Sequence, residues 1–127
     1  QHHRITKADS NYDMGSLRIE GSTWRLIAPT EVGPQPGNPG GEVSMWISDD
    51  NGATWRETPM TRASKRNHTY VRVPINAHPG FYALWADGNG REPSESHLYF
   101  CDRQGRVFEL PYNMTEEWER PTLVEIE

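Results

Sequence analysis

The chain has 127 residues, 34% of them hydrophobic, and carries 13 basic and 18 acidic side chains for a net charge of -5. That length is a prior for one domain. The acid excess offers no basic stripe for a phosphate backbone, so nucleic acid is not an expected partner, and no apolar run reaches the ~18 residues of a membrane span, so a membrane is not expected either. Cys101 is the one cysteine; it has no disulfide partner and no CxxC company for a metal, and it reads as a small buried hydrophobe.

Ten Pro and eleven Gly break the chain, and no stretch holds a 3.6-residue period for three turns. Short strand-like runs dominate instead. In chain order they are SLRIE, TWRLIAP, EVSMWIS and TWRETP, then TYVRVPI, FYALWAD, HLYFCD and RVFELP. Between the third and fourth runs lies SDDNG, where Asn51-Gly52 supplies the positive φ of a tight hairpin and Ser48 and Asp50 can bond nearby amides.

The second four runs repeat the first four. Tyr12 aligns with Tyr70, Leu17 with Ile75, Trp24 with Tyr82, Leu26 with Leu84 and Ala28 with Ala86. After the long loop PTEVGPQPGNPGG, which is longer than its counterpart DGNGREPSES, Trp46 aligns with Tyr99, Gly52 with Gly105 and Trp55 with Phe108. Units of four short antiparallel strands repeating at this length are the pattern of β-propeller blades. The expected organisation is an all-β chain. Residues 1–11 form an outer strand of a preceding blade, 12–61 and 66–112 form two four-stranded blades, and 113–127 form a linker and an entering strand. Two blades do not close a ring, so the chain is expected to be a fragment of a six- or seven-bladed propeller whose remaining blades are its first partners. It begins at Gln1 without a signal peptide, which agrees with a processed or partial chain.

SDDNGATW matches the Asp-box pattern Ser-x-Asp-x-Gly-x-Thr-Trp at Ser48, Asp50, Gly52, Thr54 and Trp55. With NYDMGSL, IAPTE, RNHTYVRVPINAHPGFYALWADG, SESHLYF and LPYNM, the chain resembles the BNR-repeat, sialidase-like propellers found among bacterial polysaccharide-degrading proteins, which include ulvan-type lyases. The second copy, CDRQGRVF, is degenerate, with Cys101 in place of Ser and Arg103 in place of Asp. The resemblance implies that the Asp-box is a structural tie on the blade periphery, that the substrate is an acidic polysaccharide or oligosaccharide, and that the whole protein is secreted or periplasmic. It implies β-elimination as the reaction, with a sialidase-type hydrolase or a non-catalytic carbohydrate-binding propeller as alternatives. No cofactor and no metal is expected.

Function in a propeller concentrates at the central channel, lined by the first strand of each blade. Side chains alternate along a strand, so His68, Tyr70 and Arg72 are expected to share one face. Arg72 suits a uronate carboxylate, and Tyr70 or His68 suits proton transfer. Tyr12 is the expected counterpart of Tyr70, with Asp13 beside it, and Glu31 in the long loop is a candidate to meet a sugar hydroxyl.

Overall fold

A computed structural model describes residues 2–8, 15–36 and 40–126. They form two antiparallel sheets and no helix. The first sheet is the meander β1 (Ser16–Glu20), β2 (Thr23–Glu31), β3 (Glu42–Ser48) and β4 (Arg56–Pro59). The second is the meander β5 (Asn67–Arg72), β6 (Ala83–Gly88), β7 (Leu98–Cys101), β8 (Val107–Glu109) and β9 (Thr122–Val124). Each strand pairs with the next in sequence, as short connections favour.

Period-2 alternation decides which side of each sheet is dry. In the first sheet Ile27 and Met45 sit opposite one another and are fully buried, while Leu17, Leu26 and Trp46 form a row on the other face. In the second sheet Ala83, Cys101, Val107 and Val124 form the inward row, and Arg72, Leu84, Phe100, Phe108 and Leu123 form the outward one. The inward faces meet in one core: Ile27, Val43, Met45 and Met60 from the first sheet against Val71, Tyr82, Trp85, Tyr99 and Val107 from the second. Cys101 lies in this core with its thiol pushed up to about 12 by burial, so it packs as a hydrophobe.

The sheets stack in the same sense. Ser16 donates from Oγ to the Val71 carbonyl at 3.0 Å and Arg18 donates to the Ile75 carbonyl, which sets β1 beside β5. At one end Gly41 bridges His68, and at the other the Tyr82 hydroxyl donates to Glu20 at 2.8 Å. Each sheet therefore offers opposite faces, one to its neighbour and one outward.

Three expectations need correction. The second sheet has five strands, because Thr122–Val124 adds to the free edge of β8 instead of leaving for another sheet. Residues 2–8 form no strand. The repeat is also one residue out of step on β2 and β6. Leu26 pairs with Trp46, whereas Leu84 pairs with Phe100 and Tyr99 with Trp85, so the two aligned pairs cannot both hold; with Trp46 kept on Tyr99, the counterpart of Leu26 is Trp85 and not Leu84. By the same registers Arg25 corresponds to Leu84, and Arg18, opposite Arg25, corresponds to Arg72, opposite Leu84. Ile75, aligned with Leu17 by residue type, lies in a turn beyond β5 and is exposed. A one-residue slip moves a side chain to the other face, and in a stack of like-oriented sheets that is the difference between core and surface.

Candidate functional site

The turn between β3 and β4 is tied by its own side chains. Ser48 Oγ accepts from the Gly52 amide at 2.8 Å and donates to Asp50 Oδ1 at 2.8 Å. Asp50 accepts from the Thr54 amide at 2.8 Å and from the Thr54 hydroxyl at 2.7 Å. The Thr54 amide and hydroxyl, with Ser48, hold the Asp50 carboxyl down at about 2. Trp55 Nε1 closes the loop on the Gly52 carbonyl, and its ring meets Trp24 edge-on at 6.5 Å between centroids. Gly52 has φ of 84°, and a Cβ there would come within 2.7 Å of the Trp24 ring. All five residues are thus engaged in fixing a hairpin.

The second copy uses Asp102, one position beyond the cysteine that stands in place of serine. Asp102 Oδ1 accepts from the Gln104 amide at 3.0 Å and the Arg106 amide at 2.9 Å, which is the i+2 and i+4 pattern that Ser48 makes with Asp50 and Gly52. Asp102 is buried and pairs with the Arg106 guanidinium. The carboxylate does the work of the missing serine from one position further on.

On β5 the expected common face does not form. His68 is 3% exposed and Val71 is fully buried, whereas Tyr70 is 58% exposed and Arg72 is also exposed. The pairing jumps from Thr69 opposite Ala86 to Arg72 opposite Leu84, so Tyr70 and Val71 both stand against Trp85. This β-bulge is made by Tyr70 itself, whose φ is 56°. The left-handed conformation costs a non-glycine residue roughly 1–2 kcal/mol, and an aromatic side chain is an unusual occupant. The Arg72 guanidinium sits over the Tyr70 ring at 5.8 Å, and its Nη1 donates to the Val71 carbonyl at 2.7 Å.

His68 points the other way, into a buried relay. Trp85 Nε1 donates to His68 Nδ1 at 3.0 Å, which puts the neutral ring's proton on Nε2. Nε2 lies 2.9 Å from Ser64 Oγ, and Ser64 Oγ donates to Glu42 Oε2 at 2.8 Å. Glu42 also accepts from the Ser64 amide at 2.7 Å and from the Thr61 hydroxyl. Donors run from Trp85 through His68 and Ser64 to Glu42, so the serine is not activated by the imidazole. Burial lowers the His68 pKa, against the opposing pull of Glu42 and Asp87. His68 is a tie between the two sheets, not an accessible base.

Beside the relay lies a cavity of about 430 Å³. Its floor is a second network around Asp87. The carboxylate pairs with Arg66 at 3.1 Å, accepts from the His97 amide at 2.6 Å and accepts from the Tyr99 hydroxyl at 3.2 Å. Burial, then the Asp87 charge, raises the Tyr99 pKa, so its phenol stays protonated. Arg66 Nη2 lies 2.6 Å from His97 Nδ1; since guanidinium only donates, His97 is the acceptor there and carries its neutral proton on Nε2. Nothing in the spacing of Arg66, Asp87 and His97 signalled this network; β5, β6 and the following loop assemble it in space.

Glu31, at the end of β2, is exposed and lines a smaller cavity of about 210 Å³ with Lys7, Thr30 and Gln35. The loop that follows is pinned over the start of β5 by Gln35 and Asn67, which exchange backbone and side-chain hydrogen bonds of 2.7–3.0 Å. Asn67 is fully buried by this clasp. Tyr12 and Asp13 lie outside the described residues.

No protein-family model, curated protein or solved structure matches the chain.

Proposed function

We propose that the chain supplies two blades of a sialidase-like β-propeller that acts on an acidic polysaccharide by β-elimination, with Tyr70 and Arg72 at the reacting sugar. The blade assignment is supported by two meanders stacked in the same sense and by the complete Asp-box tie on the third-to-fourth strand turn. The observation that carries the functional half is Tyr70: an exposed aromatic in a left-handed bulge on the first strand of its sheet, with a guanidinium over its ring. Strain of this kind gathers at functional sites, where position is worth more than local stability.

In this chemistry Arg72 neutralises the uronate carboxylate and so acidifies the C5 proton. Tyr70, as its phenolate, takes that proton; the electron pair forms the C4–C5 double bond, the C4–O bond breaks, and the phenol returns the proton to the leaving oxygen. His68 takes no part, since its lone pair is held by Trp85. A non-catalytic binding face is the second reading, favoured by that same loss of an imidazole base.

The test is incubation of the complete propeller that carries these two blades, the two alone being expected to be inactive, with ulvan, glucuronan and sialosides, following the ultraviolet absorbance of the unsaturated uronate. Elimination on a uronate polymer is expected, with Arg72→Ala raising the barrier by about 2–4 kcal/mol, the range for loss of a charge-stabilising donor. Binding without a new absorbance supports the second reading, and release of free sialic acid overturns both.

A further inference from the structure

We propose that the cavity beside Asp87 is a separate binding site for an uncharged saccharide unit. The floor is rigid, because Asp87, Arg66, Tyr99 and the His97 imidazole Nδ1 all satisfy one another. What the floor leaves over belongs to residues that line the cavity. Among the described residues the His97 Nε2 hydrogen makes no hydrogen bond; Glu109 Oε1 lies 3.9 Å away, beyond reach. The side chains of Arg62 and Lys65 line the cavity and make no hydrogen bond or ion pair among the described residues. Donors and carboxylates therefore line one cavity together, with Glu109 among the acceptors.

That mixed lining selects the ligand class. Cationic and carboxylate side chains line the cavity in similar number, so a fully anionic ligand gains from one set and is repelled by the other. A neutral ring of hydroxyls, each both donor and acceptor, uses both sets at once. An apolar ledge is also present. Ile126 lines the wall and is 39% exposed, and Tyr112, exposed and outside the lining, holds its ring 4.9 Å from that of the lining residue His97. Sugars pair polar edges with an apolar face, and an exposed aromatic with a polar tip suits both. The volume falls in the range of small-molecule sites. The site lies on the far side of β5 from the Tyr70 ring and does not depend on elimination chemistry.

The test is amide-resolved NMR titration of the chain with maltose, cellobiose and xylobiose, beside glucuronate and inorganic phosphate as anionic probes. Shifts are expected at Arg62, Lys65, His97 and Tyr112 with at least one neutral disaccharide and not with the anions. Arg62→Ala, which removes an exposed side chain unpaired among the described residues, is expected to weaken that binding about tenfold, as loss of a charged hydrogen bond does. Tyr70→Phe is expected to leave it unchanged, which separates this site from the elimination site. No shift at these residues with any neutral sugar, or shifts with the anions alone, overturns the proposal.

Discussion

Trp85 Nε1 donates to His68 Nδ1 at 3.0 Å, inside the core and between strands of one sheet. An indole nitrogen can only donate, so the bond survives only while His68 is neutral. The pKa of His68 is lowered by burial from its ordinary value of 6.5. An unfolded chain takes up this proton as pH falls through that value, and the folded one resists it. Stability contributed here is therefore fully present above 6.5 and declines as pH falls toward the lowered folded value. Denaturant unfolding at a series of pH values is expected to show that decline, and His68→Gln to flatten it. A wild-type curve that rises with acid over the same span contradicts the relay.

Ser48→Ala is expected to lower stability by about 1–3 kcal/mol, because it strips the Gly52 amide of its acceptor in a buried turn. Asp102→Ala is expected to cost a comparable amount through the Gln104 and Arg106 amides. Thermal unfolding of both variants checks this. Equal losses identify the second turn as a working tie in spite of its degenerate sequence, and a silent Asp102→Ala contradicts that.

The outward face of the second sheet carries a stacked row in which Phe81, Phe100 and Phe108 lie 4.8–5.0 Å apart, bordered by exposed Leu98 and Leu123. Phe100 is buried between its neighbours, and the exposed Phe81, Leu98 and Leu123 around it make a docking face or an aggregation liability. Sedimentation of the 127-residue chain is expected to show association. Leu98→Lys with Leu123→Lys is expected to suppress it without loss of fold. A monodisperse wild-type monomer contradicts this.

The strands between turns were legible because alternation and β-branched or aromatic residues mark them, and the Asp-box was legible because each of its side chains bonds within its own turn. β2, β3, β6 and β7 fall on the runs that announce them. The first strand of the second sheet was not legible in detail. Alternation assigns His68, Tyr70 and Arg72 one face, and only a positive φ at Tyr70, which nothing in the residue type signals, breaks it. Leu26 and Leu84 are alike in residue type, but strand register sets Leu26 opposite Trp46 and Leu84 opposite Phe100, one residue out of step with the pairing of Trp46 and Tyr99. The Glu42–Ser64–His68 relay and the Asp87 network join residues far apart in the chain, and no local pattern encodes them.

Arg18 and Arg72 hold corresponding places, and Arg18 clasps the next sheet at the Ile75 carbonyl. If Arg72 serves substrate and not packing, the two must differ in consequence. Arg18→Ala is expected to lower stability with turnover per folded molecule unchanged, and Arg72→Ala to lower turnover with stability nearly unchanged. Paired unfolding and elimination assays separate them. Matching stability losses assign both arginines to packing.

The most direct measurement is made on Tyr70→Gly. Glycine takes the φ of 56° without strain, so the exchange removes the phenol and the backbone cost together. The prediction is a stability unchanged or higher by about 1 kcal/mol, with elimination on uronate polymers lost. A variant that is less stable and still turns over at the wild-type rate would contradict it, and would make the bulge at Tyr70 a packing feature of the fold.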